Sequence, residues 1–244
     1  MTQDLPKRLK PDAILEATFE IRFDCNTSIV PEIMFGRLTD AVEWRDFRPV
    51  RLPTADIPAP IRRSDPNLMY APAIELTSQD GGIRVRVGPQ SISYVRIGNY
   101  PGWDEKLSTE IEGVIDHVFK AVHDVTATRL GLRYINALKS DLHGIKNVAD
   151  LAINGTVADE VVCDSINLNF KTNVNSDYDA TCRIASVDLA QGAIPENTTV
   201  IIDIDVYTAN AFSTQDAAVV KEWVTKAHQT EKENFFKLLG PDVT

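Results

Sequence analysis

Five arginines stand at alternating positions in stretches whose pattern is typical of β-strands, and they are the residues best suited to binding chemistry. They are Arg22, Arg84, Arg86, Arg129 and Arg133. A guanidinium group offers several donors in a fixed fork, which suits phosphate and carboxylate groups. If the apolar residues of these strands face a core, the arginines share the opposite face of one sheet. That face is a candidate site for a small anion or for single-stranded RNA.

Carboxylates in the same register favour a second interpretation of this face. They are Glu20, Asp24, Asp203 and Asp205. Opposite charges on neighbouring strands pair across a sheet, so ion pairs can equally satisfy the arginines. Aromatic side chains for base stacking are nearly missing there: Tyr207 is one candidate, and Tyr94 is another if its strand turns that way.

Trp103 is the other candidate binding residue. It follows Tyr100-Pro101-Gly102 and precedes a helical pattern. An exposed tryptophan at such a place can anchor a partner. Alternatively, Pro101-Gly102 sets a turn and Trp103 fastens the start of the helix to the sheet.

No pattern indicates catalysis, a metal or a cofactor. The four histidines, His117, His123, His143 and His228, lack ligand spacing, and so do Cys25, Cys163 and Cys182. The sequence contains neither a Gly-x-Ser-x-Gly elbow nor a phosphate-binding glycine loop. We therefore assign no catalytic residue, metal or cofactor. An enzyme whose site lies between the two halves of the chain stays an alternative, and a pocket at the central strand with converging titratable groups would indicate it.

The overall charge favours some partners over others. The 244 residues carry 25 Lys and Arg against 35 Asp and Glu, a formal net charge of -10. Duplex nucleic acid is bound through phosphate neutralisation, so an acidic chain argues against it. No window approaches the length of a membrane span, and no signal peptide is recognisable. With three cysteines, these features predict a cytoplasmic protein.

The hydrophobic periodicity predicts the elements that position these residues. Strands are predicted at 13–23, 71–77, 83–87, 91–97, 126–138, 165–172, 180–189 and 199–207, and helices at 30–44, 104–123, 147–162 and 214–239. Ser213 is the expected cap of the last helix. The segment 47–65, rich in proline and arginine, is predicted to be an irregular surface or interaction loop with a short edge strand at 48–52.

Strands that follow one another through short turns predict an α+β fold with helices packed on one face of an antiparallel sheet. The order strand, helix, antiparallel strands and long helix occurs in 1–124 and again in 125–244. We interpret the chain as a duplicated unit that forms one pseudo-two-fold domain, by analogy with TATA-binding-protein-like folds. A fold by itself carries no function.

Three stretches carry a family resemblance. They are Pro101-Gly102-Trp103, the central run Arg129-Leu130-Gly131-Leu132-Arg133-Tyr134-Ile135-Asn136, and the pair Ala227-His228. With the opening strand after a proline-bearing arm, they make the chain resemble an uncharacterised, sporadically distributed bacterial protein family over most of its length. That family has no established activity, so the resemblance transfers no residue role. Its patchy distribution implies toxin–antitoxin, immunity or phage-defence roles.

The central run also has a purely structural interpretation. Gly131 permits a close approach or a bulge, Tyr134 packs in the core, and Arg133 and Asn136 bond across the ladder. We expect a non-catalytic binding protein that acts through a protein partner, such as an antitoxin, immunity or phage-defence accessory component. The alternatives are an RNA or small-anion binder and the enzyme described above. Homodimer formation through exposed strand edges also fits the pattern.

Overall fold

A computed structural model describes residues 6, 8–25, 31–153, 156–157, 160–161, 165–190, 194–209 and 211–240. The strands are β1 Ile14–Asp24, β2 Arg48–Arg51, β3 Ile74–Thr77, β4 Ile83–Val87, β5 Ser91–Ile97, β6 Thr126–Lys139, β7 Thr156–Val157, β8 Glu160–Val161, β9 Asn167–Asn173, β10 Tyr178–Ser186 and β11 Thr198–Thr208. The helices are α1 Pro31–Thr39, α2 Ala59–Ser64, α3 Pro66–Met69, α4 Ser108–Ala121, α5 Ser140–His143 and α6 Ala217–Leu239. A π-helical turn, Trp103–Leu107, leads into α4.

One antiparallel sheet organises the described part of the chain. Its nine strands lie in the order β2-β3-β4-β5-β1-β6-β11-β10-β9, while β7 and β8 form a separate hairpin. The strands before α4 form one side of the sheet, the strands after it form the other, and β1 meets β6 between them. The predicted antiparallel α+β class is confirmed. The duplication and the analogy with TATA-binding-protein-like folds stay predictions.

Alternation along the strands separates a covered face from an open face. In β1, Ala17, Phe19, Ile21 and Phe23 are buried, and the residues between them are half-buried. Helix α6 packs on β6 and β11, α4 lies beside α6, and α1 lies beside α4. The helices therefore cover the apolar face of the sheet, as period-2 strands require.

Some predicted elements differ from the structure. The helix predicted at 30–44 ends at Thr39 and is followed by a 3-10 turn, Val42–Trp44. The helix predicted at 147–162 is wrong: its described residues form a 3-10 turn, Val148–Asp150, and the β7–β8 hairpin. Part of the segment 47–65 is ordered as β2, a 3-10 turn and α2. In the described ranges no helix is both long and apolar enough to cross a membrane.

The last helix begins later than its sequence pattern indicates. Asp216, rather than Ser213, is its N-cap, and the Asp216 carboxylate accepts a hydrogen bond from the Ala218 amide at 2.8 Å. Asp is as effective as Ser in this position, so the capping chemistry is preserved at a different residue.

Candidate ligand site between the two halves

The central strand β6 turns two polar side chains toward the helices. Tyr134 pairs in register with Ala17 of β1, and Asn136 pairs with Ile202 of β11. Tyr134 is 1% exposed and Asn136 is 2% exposed. The Nδ2 atom of Asn136 has no hydrogen-bond partner among the described residues. The side-chain nitrogen of Asn136 therefore does not bond across the ladder, contrary to the expectation from the sequence.

Helix α6 brings a carboxyl group to the same place. Ala227 is fully buried, and Glu231 and Phe235 follow it at intervals of one helical turn. Residues four apart share one face of a helix, so Glu231 lies within the apolar stripe. Only 5% of Glu231 is exposed. Among the described residues its carboxyl group has no hydrogen-bond or ion-pair partner.

Aromatic rings from the first half complete the cluster. Trp103 stacks on His228 with ring centroids 4.0 Å apart and an interplanar angle of 11°. The Tyr134 hydroxyl lies 3.3 Å from His228 Nδ1, and the Tyr100 ring contacts Tyr134 edge to face at 5.9 Å. Gly102 makes the turn before Trp103 with a φ of 93°, a conformation that favours glycine. The two halves of the chain thus meet at this cluster.

Burial controls the charge states here. It raises the pKa of Glu231 from 4.5 to about 8. Burial, assisted by the Lys232 charge, lowers the pKa of His228 to about 4. Burial also raises the pKa of Tyr100 and Tyr134 above the ordinary tyrosine value. At neutral pH Glu231 is therefore mostly protonated and His228 is neutral.

A small cavity lies among these groups. Its volume is about 40 Å³, which holds roughly one or two water molecules. Asn136, His228 and Glu231 line it, together with Tyr100 and Tyr134. The buried Asn136 Nδ2 atom, without a partner among the described residues, and the Glu231 carboxyl group thus both line one partly open space, whereas buried polar groups are nearly always hydrogen-bonded.

A wider cleft of about 440 Å³ adjoins the cavity. Arg8, Leu9, Asp12, Ile14 and Tyr100 line both spaces. The arm before β1 therefore contributes to the walls of both the cavity and the cleft. Burial raises the pKa of Asp12 despite the Arg8 charge.

The five predicted arginines lie elsewhere, on the open face of the sheet. Arg22 is on β1, Arg84 and Arg86 are on β4, and Arg129 and Arg133 are on β6. Thr18 of β1 pairs with Arg133 of β6 on one side and with Val95 of β5 on the other. Val95 in turn pairs with Arg84 of β4, so these residues form one row across the sheet. The shared face inferred from alternation is therefore present, whereas the buried cluster lies on the other side of the sheet.

Carboxylates compensate most of these arginines. The pairs are Arg22–Glu20 at 2.7 Å, Arg86–Glu75 at 2.7 Å, Arg129–Glu20 at 2.9 Å and Arg133–Asp203 with contacts of 2.7 and 2.6 Å. Of the five, Arg84 has no ion pair within the described ranges, and its Nε atom has no partner. An anion on this face must compete with the carboxylates. The role of these arginines as ligand contacts stays a prediction.

The two aromatic residues predicted as candidates for this face lie on opposite faces of the sheet. Tyr207 lies there, with the Arg129 guanidinium 5.1 Å from its ring centroid. Tyr94 pairs in register with Phe19 and is 3% exposed, so it faces the helices. Trp103 is also absent from this face, because it stacks on His228 of α6.

Two further histidines, His117 and His143, and the thiol of Cys182 have structural surroundings. His117 Nε2 lies 3.1 Å from the carbonyl oxygen of Leu38, and His143 Nδ1 accepts a hydrogen bond from the Lys139 amide at 2.9 Å. Burial raises the pKa of Cys182 to about 12, so this thiol is protonated at neutral pH. Cys163 lies outside the described residues. Among those residues no three His, Cys, Asp or Glu side chains are arranged to hold a metal.

The position of Glu231 on the last helix is a signal that is visible in the sequence. A carboxylate that follows Ala227 by four and precedes Phe235 by four interrupts the apolar stripe of α6. A residue at such a position is expected to be buried, and a carboxyl group there breaks the local pattern, as residues at functional sites often do. The stretches that carry the family resemblance also converge here, since Trp103, Tyr134 and His228 are in contact.

No protein-family model matches the sequence, and no curated protein is similar to it. The resemblance to a sporadically distributed bacterial family therefore stays a prediction.

Chemically, the cluster offers one group that can change its charge near neutral pH. Glu231 can bind a cation as a carboxylate, or it can exchange a proton as an acid. His228 is held between Trp103 and Tyr134, and its low pKa makes it a poor base at neutral pH. A pocket at the central strand with converging titratable groups, as the enzyme alternative requires, is therefore present, but His228 and Glu231 do not form an acid–base pair at neutral pH. The surroundings favour binding by Glu231.

Proposed function

We propose that the protein is a binding protein for a small organic cation, a molecule with a protonated amine or guanidinium group. The cation pairs with Glu231 in the small cavity beside α6, and the rest of the molecule lies in the adjoining cleft along the N-terminal arm. The observation that supports this proposal is a carboxyl group that is 5% exposed and lines a cavity. Burying a carboxyl group without a partner is costly, and a bound cation supplies that partner.

The surrounding groups refine the chemistry of the ligand. Arg8 and Lys232 also line the cavity, but burial alone determines the raised pKa of Glu231, so neither cation neutralises it. The faces of Tyr100 and Tyr134 are favourable neighbours for a cation. The Nδ2 atom of Asn136 is a free donor, which suits a ligand with a hydrogen-bond acceptor near its charged group. The cavity takes only the charged tip, and the wider cleft takes the remainder.

Methylguanidinium and N-methylurea test this proposal, because they have nearly the same shape and differ in charge. We expect millimolar methylguanidinium to raise the melting temperature of the protein, and N-methylurea to leave it nearly unchanged. Glu231→Gln removes the carboxylate and should abolish the difference. Glu233→Gln makes the same change on α6 at a position that does not line the cavity, and it should preserve the difference between the two probes. Equal responses to both probes, or an unaltered response of Glu231→Gln, would exclude a cation site at Glu231.

A second candidate function, action through a protein partner, is favoured by the edge of the sheet. Strand β9 is the last strand of its sheet, and Phe170 on it is 39% exposed. Edge strands present unpaired main-chain groups to other chains. This proposal includes the antitoxin, immunity and phage-defence roles.

A tagged pull-down tests the partner proposal. We expect a stoichiometric protein to co-purify with the wild type and to be lost with Phe170→Lys, because lysine on an edge opposes pairing. Lys171→Ala on the same strand is the control and should retain the partner. A partner that Phe170→Lys retains, or the absence of any stoichiometric protein, would contradict docking at β9.

A further inference from the structure

A second cavity lies beyond the opposite end of β1, under the segment that is rich in proline and arginine. Its volume is about 370 Å³, within the range of small-molecule sites. Met34 and Phe35 of α1 form one wall, and Ile57 and Met69 form the other. The cavity therefore has apolar walls with charged residues among them, and it is separate from the small cavity that Glu231 lines.

Arg62 places a positive charge in this apolar wall. It is 6% exposed. Its Nη1 atom donates to the Thr54 carbonyl oxygen at 2.8 Å, and its Nη2 atom donates to the Ala71 carbonyl oxygen. Its Nε atom is buried and has no partner in the described part of the chain. Within the described ranges no carboxylate pairs with Arg62, so its charge is buried without a counter-ion.

The other charges of the lining do not supply that counter-ion. Arg51 and Arg63 are also basic, and Asp56 is the acidic residue of the lining. Asp56 already accepts from Arg51 Nη2 at 2.7 Å, at a largely exposed position. The described walls thus hold three arginines and one engaged carboxylate. A buried cation without a counter-ion favours an anion in the adjoining space.

We infer that this cavity binds a small molecule with one anionic group, a carboxylate, sulfonate or phosphate, and an apolar body. The anionic group lies against Arg62, and the apolar body packs on Met34, Phe35 and Met69. Methionine side chains adapt to different ligand shapes, which suits them to this wall. The inference does not depend on the Glu231 site, which lies beyond the other end of β1 and prefers the opposite charge.

Two fluorescent probes test the inference on the full chain. 8-Anilinonaphthalene-1-sulfonate is anionic, and N-phenyl-1-naphthylamine has the same aromatic body without the charge. We expect the anionic probe to bind the wild type at least tenfold more tightly than the neutral probe. Arg62→Met should remove this preference. Glu231→Gln should leave it intact, which separates this site from the cation site.

A matched pair at Ile57 keeps the test decisive if Arg62→Met fails to fold. Ile57→Glu places a carboxylate in the cavity as an internal counter-ion for Arg62, whereas Ile57→Gln introduces the same size without charge. We expect Ile57→Glu to weaken binding of the anionic probe at least tenfold relative to Ile57→Gln. Equal affinities of the two Ile57 variants, or equal affinities of the two probes for the wild type, would overturn the inference.

Discussion

Replacing Glu231 by glutamine is expected to stabilise the protein at alkaline pH. Folding raises the pKa of this carboxyl group from 4.5 to about 8. Between these values the folded state holds a proton that the unfolded state releases, so stability falls as the pH rises through this window. The two pKa values set an upper limit of about 5 kcal/mol on the gain in stability of Glu231→Gln over the wild type above pH 8. Relaxation around the ionised group lowers this, and we expect about 2–4 kcal/mol.

Urea unfolding of the wild type and Glu231→Gln at pH 5 and pH 9 measures this effect. At pH 5 the two proteins should differ by less than about 1 kcal/mol, because Glu231 is protonated in the folded state. At pH 9 Glu231→Gln should be the more stable one. Glu233→Gln, which changes a less buried carboxylate of α6, should follow the wild type at both pH values. Equal stability of the wild type and Glu231→Gln at pH 9 would mean that the ionised carboxylate finds a partner.

The affinity for methylguanidinium is expected to depend steeply on pH. The guanidinium group stays protonated throughout the accessible range, so the pH dependence comes from the protein. Binding requires the Glu231 carboxylate, which is the minor form below its pKa of about 8. The affinity should therefore rise about fiftyfold between pH 6 and pH 8 and level off above pH 8. His228 does not contribute, because its pKa of about 4 keeps it neutral across this range.

Titrations followed by NMR at several pH values measure this linkage. Glu231→Gln should bind weakly with no pH dependence. An affinity of the wild type that is constant between pH 6 and pH 8 would mean that the cation does not bind at Glu231. An affinity that falls as the pH rises would mean that methylguanidinium prefers the protein with Glu231 protonated, which would also contradict an ion pair at Glu231.

The open face could be predicted from the sequence, because it depends only on local periodicity. Alternation in β1, β4 and β6 places Arg22, Arg86 and Arg133 on one side, whatever the strand order. Which carboxylate each arginine meets depends on that order. Asp203 reaches Arg133 because β11 lies beside β6, seventy residues away in the chain. The ion-pair interpretation thus anticipated the type of contact and left the partners open.

The cluster around Glu231 could not be assembled from the sequence. Trp103, Tyr134 and His228 belong to three separate segments, and their contacts depend on how α6 lies on the sheet. The local pattern predicted that Trp103 either anchors a partner or fixes the start of its helix to the sheet, and it did not predict that the ring stacks on His228 of α6. The failure at 147–162 has a similar cause: apolar spacing was assigned to a helix where the chain forms a turn and a short hairpin.

The side-chain carboxyl carbon of Glu231, followed by ¹³C NMR as the pH is changed, tests the central claim most directly. Without ligand we expect it to titrate near pH 8, because burial without a partner raises its pKa. In saturating methylguanidinium the midpoint should fall, since the cation stabilises the carboxylate. A midpoint near 4.5 in the free protein, or one that methylguanidinium does not move, would contradict a buried carboxyl group that awaits a cation.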